Sequence, residues 1–530
     1  MRASSSSSMN FCRVMSTLAL RYRSHIALVN VERNRRYTFP EYHRLTNRIA
    51  NMMREGLGLG RDDRVLLILD NDNLSLLHFP TIFKQEAAVC FSNLRDSRSE
   101  HFAQVNLITP KVVFIESKLA VAYHDELSIR GCRIVAMDPA PDLPAGTSCF
   151  WDLVEAASEQ DNSVELNVHE HVTILRFTGG TTGRGKCAMY APDHFFACRD
   201  SFYAQPDACW NESVRYLAST PISHASQMPF LAAFFAGATT LTMNGPDLIA
   251  WSETVQAERI THALLVPTLL YRLVEMRCPE RYDLSSLRSI MYGASPMAPS
   301  ALEGLIAQFG SIFTQAYGAT ETIMLVSALN THDHDVSSET KRKRLSSAGR
   351  VTPGVELVIA DENGMLLPVG KTGEIRMRAR GTISGYYNNP EGTAAEFVNG
   401  FWLSGDLGYL DEDGYLFIVD RKKDMIITGG FNVYAVEVEA ALSDHPCVLM
   451  SAVVGIPHPD WGEAVHAEVI LCEGATVTER ALADHVKAKL GSYKAPKTIV
   501  FVSELPLSPV GKILRRKVRE RYWLGQERRV

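Results

Sequence analysis

The segment Thr178-Gly-Gly-Thr-Thr-Gly-Arg-Gly-Lys-Cys187 concentrates the residue types that hold phosphate. Its glycines let the main chain turn sharply and bring N–H groups close to an anion. Thr181 and Thr182 add hydroxyl donors, and Lys186 adds a positive charge. A turn without a ligand needs neither the threonines nor the lysine. A second grouping of chemically capable residues, His332-Asp-His-Asp335, has metal-ligand types but lacks further ligands. Lys341-Arg-Lys-Arg344 reads as a solvated polar loop.

Counted from Gly180, the glycine-rich string nearly satisfies G-x-x-x-x-G-K-S/T, the phosphate loop of mononucleotide NTPases. It fails at the last position, where Cys187 offers a soft sulfur in place of the hydroxyl that ligates Mg²⁺. Further segments follow in order along the chain: Pro221-Ile-Ser-His224, Tyr292-Gly-Ala-Ser-Pro296, Tyr317-Gly-Ala-Thr-Glu321 and Trp402-Leu-Ser-Gly-Asp406. Asp420-Arg-Lys-Lys-Asp424, Gly429-Gly-Phe-Asn-Val-Tyr434 and the string from Pro506 to Arg515 complete the set. The ordered set resembles the acyl-adenylate-forming superfamily of acyl-CoA synthetases, nonribosomal adenylation domains and luciferases, over about residues 10–525. The loop departs from the family pattern at Gly185, which stands for a proline, and at Cys187, which stands for a glycine. Both departures touch loop stiffness and leave the phosphate donors in place.

The resemblance implies a two-step ligation. A substrate carboxylate attacks the α-phosphorus of Mg·ATP to give acyl-AMP and pyrophosphate, and coenzyme A then takes the acyl group as a thioester. Two anions must approach one another, so positioned cations and N–H donors carry most of the catalysis. By the resemblance, Thr178, Gly179, Gly180, Thr181, Thr182, Gly183 and Lys186 hold the β- and γ-phosphates. Gly293, Ala294 and Ser295 cradle adenine beside the ring of Tyr317, with Gly318 leaving space next to it. Thr320 contacts the α-phosphate, Glu321 ligates Mg²⁺, and Asp406 receives the ribose hydroxyls with Arg421 assisting. Lys512 bridges the carboxylate and an α-phosphate oxygen; Lys423 marks the hinge; Gly429 and Gly430 line the thiol tunnel. His224 gates the acyl pocket or packs as a core histidine, and both readings stay open.

These residues need a frame. Val65–Leu69, Ala88–Phe91, Val112–Ile115 and Ile134–Ala136 read as buried strands separated by helical crossovers, the pattern of a doubly wound α/β sheet. A second α/β series follows, with strands at Thr173–Phe177, Ala263–Val266 and Ile312–Tyr317 and a helix over Ser300–Phe309. Beyond Ala348, short strands with Gly turns predict a small antiparallel, barrel-like piece. The expected fold is therefore α/β: two doubly wound subdomains plus a small β-barrel over 10–420, then a small mobile α+β domain over 421–530. That last unit carries 16 Lys or Arg against 13 Asp or Glu, a basic face that meets phosphates or simply solvent. An amphipathic helix is expected from Asn10, with Phe11, Val14, Met15, Leu18 and Leu20 on its apolar face. The Ser-rich start before it is too short for a cleaved targeting signal, and Met1 and Met9 are both candidate initiators.

Composition narrows the function classes. The 530 residues are 46% apolar and 22% charged, with a net charge of −6, which disfavours a nucleic-acid partner. Ten cysteines without C-x-x-C spacing argue against a disulfide framework and for a reducing cytoplasm. The longest uncharged stretch, Tyr216–Pro246, contains polar residues and prolines and does not read as membrane-spanning. The segments implied to form the acyl pocket, 221–235, 291–296 and 316–325, carry no Lys or Arg to pair with a second carboxylate. The expected substrate is an apolar monocarboxylic acid, a medium- or long-chain fatty acid ahead of a benzoate- or cinnamate-like acid. A carrier-protein acceptor, a luciferase-like oxygenase and a homodimeric state remain open on sequence alone. Retention of Lys512 and Glu321 speaks against a non-catalytic binding protein.

Overall fold

The computed structural model describes residues 7–178, 186–207, 209–245, 247–295, 297–508 and 511–524. A seven-stranded sheet runs in the order Cys187–Tyr190, Ile174–Phe177, Ala88–Asn93, Arg64–Leu69, Val112–Ile115, Arg133–Ala136, Ser148–Cys149. All neighbours are parallel except Cys187–Tyr190, which turns back against Ile174–Phe177. Both faces are covered, which is why these strands read as continuous apolar runs. Val65, Leu67 and Leu69 enter one core, while Leu66 and Ile68 enter another with Phe102, Val105, Ile108, Ala120, Tyr123 and Leu127 of the two flanking helices.

A nine-stranded sheet follows the order Arg350–Val351, Ser327–Leu329, Phe313–Tyr317, Ser289–Gly293, His262–Leu265, Arg215–Ala218, Thr239–Thr242, Ile26–Asn30, Arg35–Thr38. Its six inner strands, Phe313–Tyr317 through Ile26–Asn30, are mutually parallel. Leu28, Tyr216, Ala218, Leu264 and Met291 join the core that already holds Val65 and Leu67, so one apolar layer is shared by the two sheets. Val29, Leu217, Leu241, Ala263 and Ile290 face a separate core on the far side. Arg33, in the hairpin of the second sheet, ties the layers together at their polar rim. Its guanidinium meets Asp70 at 2.8 Å, Asp138 at 2.8 Å and Glu116 at 3.1 Å, beyond the strand ends of the first sheet.

The texture change beyond Ala348 marks a third, antiparallel sheet built from Val355–Ala360, Gly373–Ala379, Phe401–Leu410, Phe397–Val398 and Leu416–Arg421. Four residues, 422–425, separate it from a last sheet of Phe431–Val433, Ile426–Thr428, Gly462–Leu471, Val448–His458 and Thr498–Phe501. That sheet packs the helices Ala435–Ser443 and Glu479–Leu490 through Val438, Leu442, Leu482 and Val486. Large and small units of mixed α/β structure thus lie in the expected order.

Two local expectations change. The first helix, Phe11–Arg21, is capped by the Asn10 side chain and buries Phe11, Cys12, Met15 and Ala19; Leu20 points outward and is 75% exposed. Lys341–Arg344 is helical, in Glu339–Arg344. Ser338 caps its start and the four cations occupy its last turn, where the helix dipole favours them. His334 is buried in the polar loop, between the Tyr292 hydroxyl at 3.0 Å and the Asn330 carbonyl at 2.8 Å. The uncharged stretch resolves into the strands Arg215–Ala218 and Thr239–Thr242 around the buried helix Gln227–Phe235. Among the described residues no helix is long and apolar enough to cross a membrane.

Candidate active site

Three of the segments singled out in the sequence, Pro221–His224, the residues after Tyr292 and those after Tyr317, follow the carboxyl ends of parallel strands of the second sheet, where α/β sheets form ligand crevices. Ser289–Gly293 and Phe313–Tyr317 end side by side. Gly293 is forced by this pairing: a Cβ there would stand 2.3 Å from the Ala316 carbonyl oxygen. Gly318 is likewise pressed against the Met324 carbonyl, at 2.6 Å from a would-be Cβ. Ala294 follows Gly293 with φ +69°, an exposed non-glycine residue in the left-handed region, and Ser295 stands half-buried beside it. Tyr317 donates its hydroxyl to Asp406 Oδ2 at 2.7 Å, and burial together with the Asp406 charge raises its pKa. Asp406 lies opposite Arg421 across two strands of the third sheet, and their side chains pair at 3.3 Å.

Thr178 and Lys186 close the phosphate-loop candidate, the Thr178 N–H donating to the Lys186 carbonyl at 2.8 Å. Gly179, Gly180, Thr181, Thr182 and Gly183 lie outside the described residues. The strand after the loop ends in Tyr190, whose hydroxyl donates to the Thr320 carbonyl at 2.5 Å. Next along the chain, Glu321 is 9% exposed; desolvation raises its pKa, and Tyr386 donates a hydroxyl to Oε1 at 3.0 Å. A buried carboxylate of hard oxygens, with no cluster of three or more His, Cys, Asp or Glu among the described residues, fits an ion shared between one carboxylate and substrate phosphates.

Lys512 arrives from the small unit. Its loop is fastened by the Thr268 hydroxyl, which donates to the Gly511 carbonyl at 3.2 Å, and by a Ser508–Lys512 backbone bond. Gly511 has φ +80°, and a Cβ there would crowd Val266 at 3.2 Å. The ammonium is brought into the field of Arg421, Asp406 and Glu321; desolvation, then Arg421, lowers its pKa to about 8. His224 stands in the same region, half-buried, with Nδ1 3.0 Å from the Ser223 hydroxyl. Desolvation and the charges of Arg176 and Lys512 lower its pKa to about 3, so it is neutral.

Lys423, in the four-residue connection between the third and last sheets, has its pKa lowered to about 8, chiefly by desolvation. The buried Arg515 guanidinium meets Glu439 at 2.8 Å and lies within 4 Å of Asp420 and Asp424. The basic excess of the small unit is thus partly engaged in internal pairs, including Arg521 with Glu468 at 2.9 Å. Gly429 and Gly430, with φ +56° and +82°, are the two-residue turn of the hairpin Ile426–Thr428/Phe431–Val433. Backbone conformation alone therefore calls for both glycines, whatever passes beside them.

Sequence reasoning missed Arg176, which is buried in Ile174–Phe177 near Tyr190 and Glu321, as well as Tyr386 and Glu396. Arg176 lies on a strand outside the segments searched for cations. Tyr386 and Glu396 belong to none of the motifs.

The fold and this site define a nucleotide-dependent carboxylate-activating enzyme, and comparison with known proteins agrees. The AMP-binding enzyme family model matches residues 16–387, and the AMP-binding enzyme C-terminal domain model matches residues 437–512. The chain belongs to the AMP-binding enzyme family, in its acyl-CoA synthetase branch. It is 35% identical over 433 residues to a medium/long-chain-fatty-acid–CoA ligase, FadD8, of Mycobacterium tuberculosis, covering 80% of this chain and 74% of that one. It is 33% identical over 382 residues to a feruloyl-CoA synthase of an Amycolatopsis species, covering 72% and 74% respectively. Among solved structures, the amide bond synthetase McbA of Marinactinospora thermotolerans superposes with a TM-score of 0.83 at 27% identity, covering 96% of this chain and 100% of that one.

Proposed function

We propose that this AMP-forming acyl-CoA synthetase activates an apolar monocarboxylic acid, a medium- or long-chain fatty acid ahead of an aromatic one. The reading is carried by one observation: the loop that bears Lys512 in the small unit is fastened to the large one, the Thr268 hydroxyl donating to the Gly511 carbonyl at 3.2 Å, which brings the ammonium into the field of Arg421, Asp406 and Glu321. In the first half-reaction the substrate carboxylate attacks the α-phosphorus of ATP. The bond to the pyrophosphate oxygen breaks, and an acyl-AMP anhydride remains. Lys512 offsets the repulsion between the two anions, Lys186 and Thr178 serve the β- and γ-phosphates, and Thr320 serves the α-phosphate. Gly293, Ala294 and Ser295 border adenine beside Tyr317 and Gly318, and Asp406 with Arg421 receives ribose. Mg²⁺, held by Glu321, supplies neutralisation of phosphate charge when bound.

The acyl group is assigned to the segment after His224, where Phe230, Leu231, Ala232, Ala233 and Phe234 are all buried. The feruloyl-CoA synthase relative supports an aromatic acid as the second reading. For the acceptor we assign free coenzyme A. Beside the Gly429-Gly430 turn, Trp461 and Tyr493 are exposed rings, and the Lys497 ammonium lies 5.3 Å from the Trp461 centroid. Aromatic faces with a cation suit a nucleotide-bearing thiol. Lys423 turns the small unit between the two half-reactions. Ten free thiols accord with action in the reducing cytoplasm.

Pyrophosphate release measured over a panel of acids tests the assignment. Turnover of C8–C18 fatty acids, with CoA preferred to carrier-bound pantetheine, is the expected result. Turnover confined to dicarboxylates, or to amino acids, overturns it.

A further inference from the structure

Glu396 closes the helix Pro390–Glu396, outside the motifs named above, yet its two oxygens reach Lys186, Tyr386 and Trp402. Oε1 accepts a short hydrogen bond from the Lys186 ammonium, whose side chain is 23% exposed. Oε2 takes a short contact from the Tyr386 hydroxyl and lies 3.4 Å from Trp402 Nε1, four residues before Asp406. The same Tyr386 hydroxyl stands 3.0 Å from Glu321 Oε1, so its one proton is shared between the two carboxylates, and the Lys186 ammonium lies 5.0 Å from the Tyr386 ring centroid.

The backbone makes this a fixed arrangement. Tyr386 bridges Ala188 in the strand that leaves the phosphate-loop candidate, and the Tyr387 N–H donates to the Cys187 carbonyl at 2.7 Å. Tyr386 in turn takes the Thr393 hydroxyl on its own N–H at 2.9 Å, which fixes the helix bearing Glu396. A flexible lysine beside a glycine-rich loop would otherwise lose side-chain freedom on engaging a ligand. A carboxylate that already fixes the ammonium removes part of that cost before binding. The lysine has three donors, so one bond to Glu396 leaves two for phosphate oxygens.

We propose that Glu396 is a positioning residue of the nucleotide site. It anchors the Lys186 ammonium and, through the Tyr386 hydroxyl, braces the Glu321 carboxylate. The cation for the phosphates and the anion for Mg²⁺ are thereby held as one unit. The inference rests on the assignment of Lys186 to phosphate and Glu321 to Mg²⁺.

Equilibrium binding of ATP by calorimetry, with Mg²⁺ and with EDTA, tests it without recourse to turnover. Glu396→Ala is expected to weaken Mg·ATP binding about tenfold and ATP binding in EDTA by less, because only the former needs Glu321. Glu396→Gln, whose amide oxygen still accepts from Lys186, is expected to lose about threefold or less. In EDTA, where Glu321 is not called on, Glu396→Ala added to Lys186→Ala is expected to weaken ATP binding no further than Lys186→Ala alone. If Glu396→Ala fails to fold, Glu396→Asp takes its place: the charge stays but the reach to Lys186 shortens, and the same loss is expected. Unchanged or tighter Mg·ATP binding in a folded variant overturns the proposal, as does full additivity with Lys186→Ala in EDTA. Lys186→Ala binding ATP as well as the wild type would instead remove the phosphate assignment itself.

Discussion

The Tyr317 hydroxyl donates to Asp406 Oδ2 at 2.7 Å, joining residues 89 positions apart in the chain. One residue ends a strand of the second sheet and the other lies within a strand of the third, so the bond spans two sheets at the mouth of the cleft. With Arg421 on Asp406 Oδ1 at 3.3 Å, the carboxylate is held from both sides. A carboxylate fixed in this way is suited to receive two adjacent hydroxyls, as on a ribose.

Removing only the Tyr317 hydroxyl separates its two proposed services. Tyr317→Phe keeps the ring face for adenine and releases Asp406. The KM for ATP is expected to rise about threefold to tenfold, the worth of one hydrogen bond to a charged group. Asp406→Asn, which removes the charge that ribose meets, is expected to cost about a hundredfold in kcat/KM. Equal effects of the two variants would contradict a ribose role for Asp406.

The lowered pKa of Lys512, about 8, gives the adenylation half-reaction a basic limb. Desolvation favours the neutral amine, whereas neutralising two anions needs the ammonium. The kcat/KM for pyrophosphate release is therefore expected to be full below pH 7 and to fall as pH rises through about 8. Bound phosphates favour the ammonium, so the corresponding limb in kcat moves to higher pH. Lys512→Arg is expected to lose the limb, since guanidinium stays charged throughout. Lys512→Ala is expected to abolish acyl-AMP formation while leaving thioester formation from supplied acyl-AMP largely intact. Equal loss of both half-reactions would refute the assignment.

Arg515 supplies a stability test where the third and last sheets join. Desolvation opposes its charge, but Glu439, Asp420 and Asp424 hold the guanidinium above its usual pKa. Asp420 itself is raised to about 6, mainly by burial. Arg515→Ala leaves three carboxylates around an uncompensated gap, and is expected to cost about 3 kcal/mol or more. The unfolding transition of the small unit, followed by urea titration, should move to lower denaturant. It should recover partly at pH 5, where protons replace the missing cation.

The parallel core was legible because its strands are buried on both faces and read as apolar runs: Val112–Ile115 falls on the residues expected, and Val65–Leu69 differs by one. The segment Tyr317-Gly-Ala-Thr-Glu321 was legible as the end of a strand, and Phe313–Tyr317 ends there. Leu20 shows the limit of periodicity, because one exposed leucine leaves an amphipathic pattern intact while facing water. Long-range partners leave no local trace. Nothing beside Glu396 announces that Lys186, 210 positions earlier, donates to it. Arg176 was overlooked because a buried cation in an apolar strand has meaning only once Tyr190 and Glu321 are placed around it.

Glycines of the site differ in what they answer to, and alanine substitution separates them. Gly293→Ala places a Cβ 2.3 Å from a backbone oxygen that cannot yield without shifting a neighbouring strand. It is expected to lower the melting temperature of the large unit and to weaken ATP binding together. At Gly430 a Cβ meets open space, and the obstacle is φ +82° alone. Gly430→Ala is expected to cost about 1 kcal/mol of small-unit stability. ATP binding and acyl-AMP formation should remain at wild-type level. The CoA-dependent half-reaction, measured from isolated acyl-AMP, is expected to slow severalfold, because the turn borders the proposed thiol path. A Gly430→Ala enzyme that forms thioester at the wild-type rate would move that path away from the turn.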